Sequence, residues 1–395
     1  MGKYKYKYKY KFKGGIFIKV DILINQLDEH NEGNILATKK FQAKEVIFLR
    51  ATDEDKDIKA IKTYYENYMS NVIFSEIIVK EGDIKELTKL IIDNKDKNVL
   101  VNLTGGKRIN SLILLELCNE NYVKSIYVDI KSKHLYTMDN KIEILKEQFG
   151  DLEIVDIIEA SGGSIIEDST DLCQKKDLIY LTKQIYSNLP LWHKYKQKLY
   201  DANIFSHEYK DSKKIVVNME NLQNEEKNLL NKIMKKLIEM GEIDCLNINN
   251  SKIEVLFLNN YLKAFLFKSG TWLELETNIL VKEIQEVDQV KNGVIFLWND
   301  DIKGVRNEVD VVAVKDSIPI CISCKDSDKY NENALNELNV YSAKIGGKKA
   351  YKILVSTKEP IKVAVKERAK EMGINIVIFD GNEEDFKRKI KEIIK

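Results

Sequence analysis

The stretch NEVDVVAVKDSIPICISCKD, residues 307 to 326, carries charge on an otherwise apolar pair of runs. It reads as two strands around a short turn. Residues two apart on a strand share a face, so Glu308 and Asp310 point together, as do Ser323 and Lys325. Charges in such a setting are costly to bury unless they pair with one another or hold a metal. Both readings stay open on these residues alone. A second stretch, VLVNLTGGKRINSLILLEL, places Thr104, Gly105, Gly106, Lys107 and Arg108 between a buried strand and a helix. Two glycines let the backbone approach a ligand closely, and free N–H groups at a helix start attract phosphate, to which the two cations add their charge. A turn that is merely tight is the competing reading.

Other chemistry is poorly supported. The glycine turn is not G-x-G-x-x-G and lacks the Walker lysine spacing, so neither a dinucleotide cofactor nor ATP is indicated. Cys321 and Cys324 form a C-x-x-C, but strand residues three apart face opposite sides, and no second pair or nearby His completes a zinc site. The five scattered cysteines do not resemble a disulfide framework and read as reduced thiols.

The elements that must position these stretches follow from periodicity. Residues 1 to 15 alternate Lys with aromatics and read as a dispensable basic tail. From residue 16, the runs IFIKVDILI, EVIFLRA, VIFSEIIV, NVLVNLT and VKSIYVDI alternate with helical patterns near 34–40, 54–69, 83–94 and 106–120. Such alternation specifies a mainly parallel, Rossmann-like sheet covered by helices. Residues 166 to 265 change character, with helical segments outnumbering the strand-like KIEVLFLNN, and read as a helical or winged-helix-like connector. From residue 266, a helix (TWLELETNILVKEI), the strand VIFLW, the charged strand pair, a further helix and a closing strand–helix unit make a second α/β domain. The 63 basic and 62 acidic side chains nearly cancel, so any nucleic-acid surface must be local. No apolar run approaches 18 residues, and the sequence reads as a cytoplasmic protein that does not engage a membrane.

Two resemblances sharpen these expectations. The strand end NLTGGKR, with the first-strand loop NQLDEH, resembles the CRISPR-associated Rossmann fold, or CARF, sensor domain over residues 16 to 165. That resemblance implies a homodimer whose two-fold axis lies under a cyclic oligoadenylate made by type III CRISPR complexes. A ligand with rotational symmetry suits an isologous dimer. It also implies ligand contacts from Thr104, Gly105, Gly106 and Lys107, with Gln26 and Asp28 as weaker candidates. Residues 266 to 395 are similar to the PD-(D/E)xK nuclease superfamily, whose ordered pattern is matched by Glu274 in GTWLE, Asp310 in NEVDVV and Lys325 in SCK. Glu337 and Tyr341, four apart on the next helix, resemble a Q-x-x-x-Y element. Ser323 departs from the pattern, since an acid normally stands there. A hydroxyl is a poorer ligand for a hard cation, and Glu308 is placed to compensate.

The second resemblance implies metal-assisted phosphodiester hydrolysis. Glu274, Asp310 and Glu308 would hold Mg²⁺ or Mn²⁺, and Lys325 would orient water or neutralise the scissile phosphate. Glu276 lies about 200° from Glu274 around a helix, so only Glu274 is expected to face the metal. Together the domains describe a nuclease acting on DNA or RNA and switched by cyclic oligoadenylate, with cyclic tetra-adenylate as the favoured ring. The alternative is a ligand-responsive transcriptional regulator, with a winged helix over residues 220 to 265 and an inactive nuclease-like domain.

Overall fold

The computed structural model describes residues 19–139, 141–145, 149–208, 211–249, 251–268, 270–298 and 306–395. The Lys/Tyr tail lies outside them. Five apolar runs of the N-terminal part become β1 (Ile22–Gln26), β2 (Glu45–Arg50), β3 (Ile73–Ile78), β4 (Val99–Asn102) and β5 (Lys124–Asp129). The helices between them are α1 (Glu32–Phe41), α2 (Asp55–Tyr68), α3 (Ile84–Asn94) and α4 (Arg108–Glu120). The strands pair in parallel in the order β3-β2-β1-β4-β5. Every residue of β1 and β4 is buried, as expected for central strands covered on both faces. The sheet reverses at β1 and β4, which brings the loops after both strands to one crevice. An antiparallel pair that periodicity did not reveal, β6 (His134–Asp139) and β7 (Lys141–Ile144), extends the edge.

The middle of the chain holds more strand than its helical pattern suggests. After α5 (Ile154–Ala160) and β8 (Gly163–Glu167) come α6 (Lys176–Tyr186) and α7 (Leu189–Tyr195). A four-stranded antiparallel sheet then forms from β9 (Phe205–His207), β10 (Lys214–Asn218), β11 (Ile243–Asn247) and β12 (Lys252–Phe257), with α8 (Asn224–Glu239) between β10 and β11. Short strands such as FSH and KIVVN are set by cross-strand pairing rather than by a long apolar alternation.

A six-stranded sheet, ordered β17-β16-β15-β14-β13-β8, forms the C-terminal domain. Its members are β13 (Gln289–Trp298), β14 (Asn307–Lys315), β15 (Ile318–Lys325), β16 (Tyr351–Ser356), β17 (Ile374–Ile378) and the distant β8. The helices α9 (Leu262–Phe267), α10 (Thr271–Lys282), α11 (Glu332–Gly346), α12 (Val363–Glu371) and α13 (Glu383–Ile393) complete it. The expected boundary at residue 165 therefore falls inside a strand: β8 pairs antiparallel with β13, and the C-terminal sheet recruits a segment from before the connector. A two-residue turn joins β14 to β15, with Asp316 and Ser317 at φ 55° and 64°. These left-handed angles match the twist of a tight hairpin, although such turns favour Asn or Gly. Ser317 is held there by burial and by the Leu152 N–H, which donates to its Oγ at 2.9 Å.

Candidate nuclease site and sensor crevice

The β14–β15 hairpin brings Asp310, Ser323 and Lys325 onto one face, as the strand period requires. Asp310 Oδ2 accepts from the Cys324 N–H at 2.6 Å and from Ser323 Oγ at 3.1 Å, while Lys325 Nζ stands 3.5 Å away. Ser323 thus acts as a donor that fixes Asp310, which is a different role from the weak metal ligand expected at this position. Glu274, in the first turn of α10, faces the same group. Burial pushes its carboxyl up to about 7, and the charges of Asp310 and Glu308 add to that, while Lys268 and Lys325 oppose it. Burial pulls Lys325 down, but Asp310, with help from Cys324 and Glu274, outweighs it and its pKa is raised. Glu308, exposed at the start of β14, completes the acidic set.

Glu276 looks elsewhere. It is buried and also pushed up to about 7, by burial first and then by Glu383 and Glu283 on the opposite side of α10. Tyr341 donates to Glu337 Oε1 at 3.3 Å and packs its ring on Phe296, and among the described residues no hydrogen bond or ion pair joins this pair to Asp310 or Lys325. Cys321 and Cys324 point into different hydrophobic clusters, and burial pushes the Cys321 thiol up to about 12, so neither is a reactive thiolate.

Sequence reading missed Asp326, the residue after Lys325. Its buried carboxylate accepts from Trp192 Nε1 at 2.6 Å, Trp272 Nε1 at 3.0 Å and Thr357 Oγ1 at 2.8 Å, and pairs with Lys196 at 3.1 Å. Burial pushes its pKa up, but the donors and Lys196 outweigh that and hold it below the usual carboxylate range. One side chain therefore ties Lys325 to α7, α10 and the end of β16. Only the placement of Trp192 and Trp272, far apart in sequence, makes it recognisable.

The sensor crevice is built differently. Asn102 Nδ2 donates to Asn25 Oδ1 at 3.0 Å and to Asn34 Oδ1 at 2.9 Å, while Asn34 donates to the Gln26 carbonyl at 2.8 Å. This buried amide network locks the loop after β1 to the loop after β4. Thr104 Oγ1 donates to Asn102 Oδ1 and accepts from the Val128 N–H at 2.8 Å, so its hydroxyl is already engaged. The Gly106 N–H, expected to be free for phosphate, donates to Asp28 Oδ2 at 3.1 Å. Gly106 has φ 75°, and a Cβ there would lie 2.5 Å from Gln26 Cβ, so glycine is required by both backbone and space. Gln26 Nε2 donates to Ser111 Oγ at 2.8 Å, whereas its Oε1 is buried without a hydrogen-bond partner. Lys107 is exposed at the N-cap of α4. A cavity of about 220 Å³ adjoins the turn, lined by Asp28, Thr104 and Gly105 and by Lys348 and Lys349 of the C-terminal domain.

Among the described residues, the carboxylates that gather within 4.8 Å of one another are Asp151, Asp288 and Asp316, not the nuclease set. Lys133 sits among them, 3.3 Å from Asp151 and paired also with Asp316, and Asp288 Oδ2 accepts the Asp316 N–H at 2.7 Å. Lys133, with Lys315 at Asp316, offsets part of their charge, and the group links the hairpin turn to the N-terminal domain. Glu274, Asp310 and Glu308 stand wider apart, with Lys325 and Lys268 opposing part of their charge, and their carboxylate oxygens suit a hard divalent cation.

The architecture is a Rossmann-like sheet with a loop crevice, joined through a small antiparallel sheet to an α/β domain with acids and a lysine on one hairpin. Residues 262–395 match the family described as Card1-like, endonuclease domain. The C-terminal domain is a Card1-like endonuclease domain. Over 95% of this chain and 99% of the other, the fold is similar to Can2 from Sulfobacillus thermosulfidooxidans, solved with cyclic tetra-adenylate, at 17% identity and a TM-score of 0.71. Protein VC1899 from Vibrio cholerae is similar over 94% and 97% of the two chains, at 17% identity and a TM-score of 0.73. A type III CRISPR defence DNA nuclease activated by cyclic oligoadenylate is similar at 14% identity and a TM-score of 0.56, over 91% of this chain but 50% of that one. No curated protein sequence matches the chain. No helix among the described residues is long and apolar enough to cross a membrane.

Proposed function

We propose that this chain is a metal-dependent endonuclease, active on DNA or RNA as a homodimer, that cyclic oligoadenylate switches on in type III CRISPR defence. The observation that carries this reading is the convergence of Glu274, Glu308, Asp310 and Lys325 within a domain of the Card1-like endonuclease type. Glu274, Asp310 and Glu308 would hold Mg²⁺ or Mn²⁺. Bound there, the cation supplies charge stabilisation for the phosphoryl group and acidifies a water. The chain's own groups do the rest. Asp310 is held in place by the Cys324 N–H and Ser323 Oγ, so its free oxygen is presented in one orientation. Lys325, anchored through Asp326, stays charged and is placed to neutralise a scissile phosphate. Burial and the charges of Asp310 and Glu308 favour the protonated form of Glu274, and a cation bound beside it would favour the ionised form.

Activator binding is assigned to the crevice after β1 and β4, with Gly105, Gly106 and Lys107 in contact and Gln26, Asp28 and Thr104 shaping the cradle. The fold shared with Can2 supports this placement, and so does the position of Lys107 at the start of α4. The cyclic tetra-adenylate in the Can2 structure favours the same ring size here. The test is incubation of the full chain with labelled DNA and RNA, with Mn²⁺ or Mg²⁺, with and without each cyclic oligoadenylate. Cleavage that needs both metal and activator is expected, and absence of cleavage under every combination would contradict the reading.

A further inference from the structure

A cavity of about 530 Å³ lies between the connector sheet and α9, lined by Lys213, Lys263 and Lys268 together with His207, Phe267 and Asn259. Among the described residues no carboxylate lines it, although the chain as a whole has almost equal numbers of acids and bases. That local excess of positive charge is what a polyanion recognises. Lys263 is not a free-swinging lysine: its Nζ donates to the carbonyls of Ser212 at 2.6 Å and Lys214 at 2.9 Å, which fixes it at the cavity wall. His207 and Phe267 meet edge to face, with ring centroids 4.7 Å apart, and His207 is exposed. Such a pair offers an aromatic surface beside cations, the combination on which unpaired bases stack while phosphates are neutralised.

Position gives the cavity its meaning. Lys268, on the cavity wall, stands two residues before Gly270, the N-cap of α10, and Glu274 lies in the first turn of that helix. The positive end of α10 adds to the same field. The basic wall therefore runs from the connector sheet up to the acids assigned to cleavage. We propose that this cavity binds a single-stranded stretch of the nucleic-acid substrate beside the scissile phosphate, with Lys213 and Lys268 on phosphates and His207 on a base. This deepens the endonuclease reading and rests on it for the direction in which the strand runs.

Binding of fluorescently labelled single strands and duplexes of DNA and RNA to the full chain in EDTA, where no metal supports cleavage, tests the proposal, with salt titrations. Wild type is expected to bind single strands more tightly than duplex. Lys213→Glu and Lys268→Glu should each weaken binding and lower the slope of log affinity on log salt by about 0.7 for each phosphate left without its cation. His207→Ala should cost roughly tenfold in affinity with little change in that slope, because stacking on a base releases no counterion. Preference for duplex, no binding by wild type, or variants that bind as wild type does would each overturn the cavity assignment. The endonuclease reading fails separately: a wild type that binds strands through these residues yet cleaves none would overturn that reading and leave the cavity standing. Cleavage by wild type, with variants that bind and cleave equally well, would remove the cavity alone.

Discussion

The crevice after β1 and β4 and the β14–β15 hairpin handle buried polarity differently. Around the glycine turn, Asn25, Asn34, Asn102, Thr104 and Asp28 hydrogen-bond to one another and to nearby backbone, which ties the loops together, although Asn25 Nδ2 and Gln26 Oε1 are buried without a partner. At the hairpin, Asp310 is hydrogen-bonded, and Glu274 and Glu308 face it with Lys325 and Lys268 as the nearby cations, so three acids meet two bases. A network in which most groups are paired makes a firm frame and presents what lies at its edge, here Lys107. A set of acids in excess of its bases calls for a cation. The two regions should therefore fail differently when mutated: the first in response to ligand, the second in chemistry.

The largest expected effect lies at the hairpin. Asp310→Ala or Lys325→Ala should reduce cleavage by more than the roughly 10–100-fold that loss of an outer partner costs at a metal site, with folding and activator binding retained. Retained cleavage in Asp310→Ala, measured on a gel with saturating metal, would remove the assigned centre. Next comes Asp326, whose substitution by Ala leaves two indole N–H groups and the Thr357 hydroxyl without their acceptor and Lys196 without its counter-charge. Breaking a buried charged group of this kind should cost about 3–5 kcal/mol in a denaturant titration. Asp326→Asn should recover much of that stability while cleavage stays low at unchanged substrate affinity. A variant as active as wild type would show that Asp326 only braces the fold.

Lys107→Glu comes third and acts on the other side of the comparison. Calorimetric titration of the folded variant should show affinity for cyclic tetra-adenylate reduced at least about tenfold, the cost of a charge-assisted hydrogen bond. Unchanged affinity would take this lysine out of the crevice. Gly106→Val is a poorer probe, because φ 75° and the close approach of Gln26 predict local instability whether or not ligand binds there. Glu308→Gln should weaken metal binding about tenfold by titration, since an exposed third acid adds charge rather than geometry. Wild-type metal affinity in that variant would restrict the site to Glu274 and Asp310.

The smallest effect concerns Glu276 and has a defined sign. Its folded pKa of about 7 lies above its ordinary 4.5, so the folded state holds the proton more tightly and stability falls as pH rises from about 4.5 to about 7. Glu276→Gln should remove that slope. It should be nearly neutral at pH 4, stabilise by about 1–3 kcal/mol at pH 8, and leave cleavage untouched. A variant no more stable than wild type at pH 8 would mean that water reaches this carboxyl.

What was legible in the sequence follows the same division. Strand period alone put Glu308 with Asp310 and Ser323 with Lys325, and helix period separated Glu274 from Glu276, because both depend on neighbours a few residues apart. The five parallel strands with their helices were readable for the same reason. The Asn25–Asn34–Asn102 network, the donors around Asp326 and the pairing of β8 with β13 join residues that are distant along the chain, and no local pattern marks them. Asp28 on the Gly106 N–H belongs with these: the turn looked open because its occupant comes from another loop.

The central claim is that sensing and cleavage reside in separable regions of one chain, and a single assay addresses it directly. Wild type, Lys107→Glu and Asp310→Ala are compared for cleavage of labelled nucleic acid in Mn²⁺, with and without cyclic tetra-adenylate. The account predicts that wild type cleaves on addition of activator, that Lys107→Glu keeps any activator-independent cleavage but loses the response at limiting activator, and that Asp310→Ala cleaves nothing although it still binds activator. An Asp310→Ala protein that cleaves, or a Lys107→Glu protein with the full wild-type response, would contradict it.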